Sequence, residues 1–343
     1  MKRLLLLIAI FSTNVYAIDE CEKLKNSKRL LKLINQLENY EDQTGIWPGQ
    51  NLSTFTYVLT DFDVTSDCAV VLYDNFKKEY IKSTSPIKYE NGFFNFYSKN
   101  NPPKNAELKS FFNQKNIEVA YAQNFTNILG QIPNYLLRIF GFLDGNFYLN
   151  LLLHEGFHLS TQLTSSNWIS WTYDVSFDRF ELAKKCYEDK RVVELFEKEF
   201  EAILSAYQLL EFHKDSGLAA KALKDYYSLS AKRYSILKNV TLDDTVNNKK
   251  LSCKQAEVIM EHREGVAEFY GNMVLYNQGL MNEYNLYAIL MEKRKGDSFY
   301  GIGMVKQLYL YRKLGTRYIN MVMDMLNNDD SQFDQDYYVR QNL

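Results

Sequence analysis

The sequence predicts an α+β protein whose strands gather in an N-terminal part and whose helices fill the rest. Three observations carry that expectation. From about Ser53 to Phe96 apolar residues alternate with polar ones and are rich in β-branched and aromatic types, as in Thr54-Phe55-Thr56-Tyr57-Val58-Leu59. Beyond Pro103 the apolar spacing turns helical in one stretch after another. Between the two regimes, Asn100-Asn101-Pro102-Pro103 punctuates the chain. The expected organisation is a leader over 1–17, an α/β-rich region over 18–103 and a mainly helical region over 104–343.

The leader reads as an export address. Lys2-Arg3 is a short basic segment, Leu4 through Phe11 an apolar core too short to anchor in a bilayer, and Val15-Tyr16-Ala17 ends in a small residue suited to cleavage. Ile18-Asp19-Glu20 lacks the small residues that would make Cys21 a lipidation site. Cleavage after Ala17 and a secreted or periplasmic protein are expected. Next, Cys21 to Tyr40 has helical period, with Leu30, Leu31, Leu33, Ile34 and Leu37 on one side. In the β-like region Asn91-Gly92, flanked by Ile87-Lys88-Tyr89-Glu90 and Phe93-Phe94-Asn95-Phe96, predicts a two-residue hairpin.

In the helical region a helix is expected to start at Asn146 as N-cap. Two long helices, about Asp189 to His213 and Gly217 to Asn239, predict a helical hairpin, part of an excursion over about 187–250. Further helices are expected over about Ser252 to Asn277, Ser298 to Leu314 and Thr316 to Leu326, with Gly315 as a C-terminal cap.

Composition narrows the function classes. With 46% hydrophobic and 24% charged residues and a net charge of −2, the balance is that of an ordinary globular protein. No basic stripe argues for nucleic acid, and no second long apolar run argues for a membrane span. The four cysteines, Cys21, Cys68, Cys186 and Cys253, are widely spaced with no CxxC, which points away from metal ligation. In an exported chain two disulfides are the default. Three connectivities are open, of which Cys21–Cys68 with Cys186–Cys253 pairs neighbours along the chain.

The chemistry centres on His154-Glu155-Gly156-Phe157-His158, an HExxH string in a chain with only four histidines. Residues four apart share one helix face, so both imidazoles can reach one metal ion. The intervening Glu155 lies roughly 100° round from His154, where it can touch a water on the metal. Leu151-Leu152-Leu153, Phe157 and Leu159 make the segment apolar, so the histidines would be buried and in need of strong partners. A catalytic site needs a third protein ligand. The HExxHxxGxxH pattern is excluded, because Thr161 and Thr164 stand at its glycine and histidine positions and the next histidine is His213. A carboxylate from another helix is therefore expected.

Arg263-Glu264-Gly265-Val266-Ala267 resembles the glutamate-bearing helix of the gluzincin zinc metallopeptidases, whose aminopeptidase-N-type members carry an Asn-Glu-Gly-Phe-Ala-like string. The resemblance implies a zincin-like fold and gives Glu264 the third-ligand role, with small residues at 265 and 267 letting this helix approach the HExxH helix. Glu268, one turn on, is expected to accept a hydrogen bond from the far nitrogen of a ligating histidine, or to replace Glu264 as ligand. His262 points the other way and reads as structural, and His213 as solvated. Tyr300-Gly301-Ile302-Gly303, followed by Leu314-Gly315, is similar to the family's Tyr-x-x-Gly…Leu-Gly segment and gives Tyr300 the role of stabilising the tetrahedral intermediate. The resemblance covers three short segments within about Leu151 to Gly315. The family's Gly-x-Met-Glu-Asn string is absent, and the helical hairpin makes the interval from His158 to Glu264 far longer than in compact members, reading as an insertion.

The expectation is an exported zinc metallopeptidase acting on peptides or proteins, with His154, His158 and Glu264 on zinc and Glu155 as general base. Without the amine-binding string it leans to an endopeptidase or general peptidase over a strict aminopeptidase. The alternative is a non-catalytic exported binding protein with a structural or relict zinc site. Retention of Glu155 argues against it, as does the preference of structural zinc for four residues, commonly cysteines.

Overall fold

Two helices open the described chain, α1 (Glu20–Lys25) and α2 (Lys28–Glu38). Leu24, Leu30, Leu33, Ile34 and Leu37 fall on one side and are buried, while Lys32 and Glu38 face solvent. The computed structural model describes residues 20–39, 46, 56–60, 65–88, 95–98, 106–115, 119–123, 147–162, 177, 179–292, 299–327 and 335–342. The expected leader over 1–17, the Asn91-Gly92 turn, the break at 100–103 and Asn146 lie outside these. The chain divides into two compact units, Met1–Glu38 with Ser53–Ile132, and Asn39–Leu52 with Pro133–Leu343.

The first unit is built on one mixed sheet. Its strands are β1 (Thr56–Thr60), β2 (Thr65–Tyr73), β3 (Lys77–Lys88), β4 (Asn95–Ser98) and, after helix α3 (Ala106–Lys115), β5 (Val119–Gln123). The spatial order is β3-β2-β1-β5-β4, with β1 parallel to β5 and the other neighbours antiparallel. Tyr57, Val58 and Leu59 in β1 and Ala69 through Leu72 in β2 are all buried, as in strands covered on both faces. The Cys21–Cys68 disulfide ties α1 to β2.

The turn from β2 to β3 is Asp74-Asn75-Phe76, with φ of 45°, 62° and 61°. Asp and Asn tolerate this region, but Phe76 is held there at a cost of about 1–2 kcal/mol. Its buried ring stacks on Tyr57, centroids 6.1 Å apart, which offsets that strain. Among the described residues, the strands on either side of the expected Asn91-Gly92 hairpin do not pair with each other. β3 pairs with β2 and β4 with β5, so the two strands flanking that turn lie at opposite edges of the sheet. A two-residue turn signal is local, and β4 takes its backbone partner from β5, more than twenty residues on.

Among its described residues the second unit is helical apart from one two-stranded ribbon. Helix α4 (Phe147–Phe157) runs into a π-turn over His158–Gln162, and α5 (Arg179–Cys186) follows. The expected helical hairpin is α6 (Lys190–Glu211) and α7 (Ser216–Leu237). Asp189 caps α6 by accepting from the Arg191 amide, and Asp215 caps α7 by accepting from the Leu218 amide. A two-stranded ribbon, β6 (Thr241–Asp244) with β7 (Lys249–Ser252), leads to the Ser252–Gln255 capping box of α8 (Cys253–Met260). The chain continues through a second π-turn, Glu261–Gly265, into α9 (Val266–Asn277). Helices α10 (Glu283–Glu292), α11 (Phe299–Leu314), α12 (Tyr318–Asn327) and α13 (Gln335–Gln341) complete it, with Gly315 at φ 55° ending α11.

Two devices hold the hairpin to the rest of this unit. The Cys186–Cys253 disulfide joins the end of α5 to the start of α8. Arg233 of α7, fully buried, donates to both oxygens of Glu199 at 2.7 and 3.0 Å and to both of Glu257 at 2.8 and 2.9 Å. Tyr187 and Tyr234 donate to Glu257 as well. The architecture is thus mixed helix and sheet, mostly helical. Among the described residues no helix is long and apolar enough to cross a membrane.

Candidate metal centre

Helix α4 is apolar almost all round, so it carries His154, and with the π-turn that continues it His158, into the interior on one face. Helix α9 packs along it, and Gly271 allows the contact: a Cβ there would lie 2.4 Å from Oδ1 of Asn150. The glycine before it in sequence serves a different neighbour. A Cβ on Gly265 would lie 2.7 Å from the Cα of Gly303, so the small residue expected to let this helix approach the HExxH helix instead lets the second π-turn meet α11 backbone to backbone. Gly303 itself would place a Cβ 2.6 Å from the Glu261 carbonyl oxygen.

These contacts bring three side chains to one point. Nε2 of His154 lies 3.1 Å from Nε2 of His158 and 3.3 Å from Oε2 of Glu264, and the His158 nitrogen is 3.4 Å from that oxygen. All three residues are buried. Ligands of a tetrahedral ion at about 2.0–2.1 Å stand about 3.3–3.4 Å from one another, so the triangle has the size such an ion requires. The group could hold a metal ion.

The surrounding groups decide which atoms face inward. Oε2 of Glu268 lies 3.2 Å from Nδ1 of His154, and Oε1 of Gln162 lies 2.6 Å from Nδ1 of His158. The Gln162 amide oxygen accepts, so His158 carries its proton on Nδ1 and turns its Nε2 lone pair toward Glu264, while the Glu268 carboxylate stands within ion-pair distance of the far nitrogen of His154, where it favours the same tautomer. Three lone-pair atoms then converge in a buried space, an arrangement that calls for a cation between them. A proton is one such cation. Burial opposes charging His154, yet Glu264 and Glu268 outweigh it and push its pKa up to about 10. Glu264 shifts the opposite way: burial works against its ionisation, but His154 and His158 hold it well below the usual carboxylate range.

Outer contacts fix these partners in turn. Asn272 donates to Oε1 of Glu268 at 3.0 Å and to its carbonyl at 2.7 Å. The Arg263 guanidinium lies 3.3 Å from Oε1 of Glu264, leaving Oε2 for the histidines. The Gln162 amide nitrogen donates to the carbonyls of His262 and Arg263 at 3.1 and 2.9 Å. Gln162, Asn272 and Arg263 escaped the sequence reading. Gln162 alone left a signal, being four residues beyond His158 on the same face.

The other expected residues fall as follows. Glu155 is half-buried beside the ligands. Tyr300 is half-buried in the first turn of α11, one turn before the Gly303 that meets the Glu264 turn. His262 is fully buried, its Nε2 accepting from the Gln335 amide at 3.1 Å, and burial, reinforced by Lys306, holds its pKa down to about 3. His213 is exposed at the hairpin tip. No protein-family model, curated protein or solved structure matches this chain.

Proposed function

We propose that this protein is an exported zinc metallopeptidase of gluzincin type, with a zincin-like catalytic region into which the α6–α7 hairpin is inserted. The observation that carries the reading is the convergence of His154 Nε2, His158 Nε2 and Glu264 Oε2, with Glu268 and Gln162 placed to keep the histidine protons on the far nitrogens. Two of the three segments that resemble the family also meet, Gly265 against Gly303. Two disulfides suit an oxidising compartment.

A zinc ion held by His154, His158 and Glu264 would supply Lewis acidity toward a peptide carbonyl and acidify a water to near neutrality. Glu155, retained between the histidines and partly open to solvent, takes the proton from the attacking water and hands it to the leaving nitrogen. The Tyr300 hydroxyl is assigned to donate to the carbonyl oxygen as negative charge gathers there. Glu268 holds the proton on Nδ1 of His154 and so keeps that ring in its ligating orientation.

Incubating the zinc-loaded protein with N-blocked and free peptides, and reading products by mass spectrometry, tests this. Cleavage should stop with chelator, and Glu155→Gln should keep zinc while losing about 10²–10⁴-fold in turnover. Cleavage of N-blocked peptides would select endopeptidase over aminopeptidase action. Zinc binding with no cleavage by the wild type, or a Glu155→Gln variant as active as the wild type, would overturn the peptidase reading and leave a binding protein with a structural or relict site.

A further inference from the structure

Both ligand-bearing helices widen into a π-turn at the ligands, His158–Gln162 on one and Glu261–Gly265 on the other. A π-turn shifts the hydrogen-bond ladder by one residue and turns carbonyls away from their usual partners, and such turns gather at functional sites. In the second turn those carbonyls are met by side chains. Gln335 donates to the carbonyl of Glu261 at 3.2 Å, and Gln162 to those of His262 and Arg263.

Gln162 is fully buried, and its chemistry permits one orientation. Carbonyls only accept, so the amide nitrogen must face them, which leaves the amide oxygen for Nδ1 of His158 at 2.6 Å. Nδ1 must then donate, and Nε2 is left as the ligating atom. One amide therefore reads the tautomer of His158 on one side and grips the backbone next to Glu264 on the other.

We propose that Gln162 is a positioning residue of the metal centre, setting the His158 ring and the Glu264-bearing turn together so that ligand atoms from two helices meet. The inference rests on the metal reading above. It assigns Gln162 a role that neither the HExxH string nor the Glu264 segment contains, and makes the first π-turn part of the site: the turn delivers Gln162 at a point from which it reaches both helices.

Removing both functions of the amide tests it. Gln162→Met keeps length and apolar bulk but can neither accept from Nδ1 nor donate to the two carbonyls. Its zinc affinity, measured by chelator competition, should fall about 10–100-fold, and the visible spectrum of its Co²⁺ form should shift from that of the wild type. Nitrogen-15 NMR of the zinc-loaded wild type gives a readout that needs no variant to fold: His158 should show a protonated, slowly exchanging Nδ1 and a metal-ligating Nε2. A folded Gln162→Met with wild-type affinity and Co²⁺ spectrum would overturn the inference while leaving the metal reading intact, as would ligation of His158 through Nδ1. Absence of zinc from the wild type would instead sink the metal reading and this inference with it.

Discussion

Donors converge on the Glu107 carboxylate in the first unit: the Ser83 hydroxyl at 2.8 Å and the Thr84 hydroxyl and amide at 2.6 and 3.1 Å. The hydrogen bond from Thr84, followed by that from Ser83, lowers its pKa from the usual 4.5 to about 2. A carboxyl more acidic folded than unfolded stabilises the fold above its unfolded value, and that contribution drains away as pH falls from 4.5 toward 2. Glu107→Gln should therefore lower the urea midpoint at neutral pH, with the gap to the wild type narrowing as pH falls through that window. A gap that stays constant there would show that the hydroxyls do not favour the charged form. Legibility at this scale followed helix geometry. His154 and His158 could be read directly because a four-residue step gives them a common face, and Glu155 because it stands between them about 100° round the helix. Glu264 came only with the family resemblance, since no local rule links residues more than a hundred positions apart. Gln162 and Asn272 went unread because an amide's task depends on which carbonyls and carboxylates surround it.

Among the elements, the α6–α7 hairpin carries a buried charge network as well as apolar packing. Arg233 joins α7 to Glu199 of α6 and Glu257 of α8 with all three side chains out of water. Burial keeps the Glu199 carboxyl above its ordinary range even though Arg233 pulls it down. Removing one member of such a buried network leaves uncompensated charge, at a typical cost of about 3–5 kcal/mol. Arg233→Met should destabilise the protein by that order in urea unfolding, since Glu199 and Glu257 would then face each other unneutralised. A loss below about 1 kcal/mol would mean that the carboxyls take up protons or water at little cost. Helix limits were legible here: Asp189, Ser252 and Gly315 mark ends the structure keeps, and the start expected near Gly217 falls one residue earlier, at Ser216 behind the Asp215 cap. The π-turns were not, because one extra residue in a turn barely disturbs a 3.6-residue periodicity over a short window. Nor was the pairing of β4, where partners distant in sequence outweighed the Asn-Gly signal.

For the whole molecule, the mixed class and the two disulfides were within reach of the sequence, the class from its change of periodicity and the bridges from an even count of widely spaced cysteines with no CxxC. The sheet order was not, because period-two alternation identifies strands without naming their neighbours. Everything proposed about function converges on one buried triangle of atoms in the second unit, so its occupancy is the central claim. The most direct measurement is zinc content by elemental analysis on the purified protein and a Glu264→Ala variant, each shown to be folded. The wild type should hold about one zinc per chain, and the variant little or none. A folded wild type without zinc, or a variant that holds it as tightly, would rule out a metal centre built on His154, His158 and Glu264.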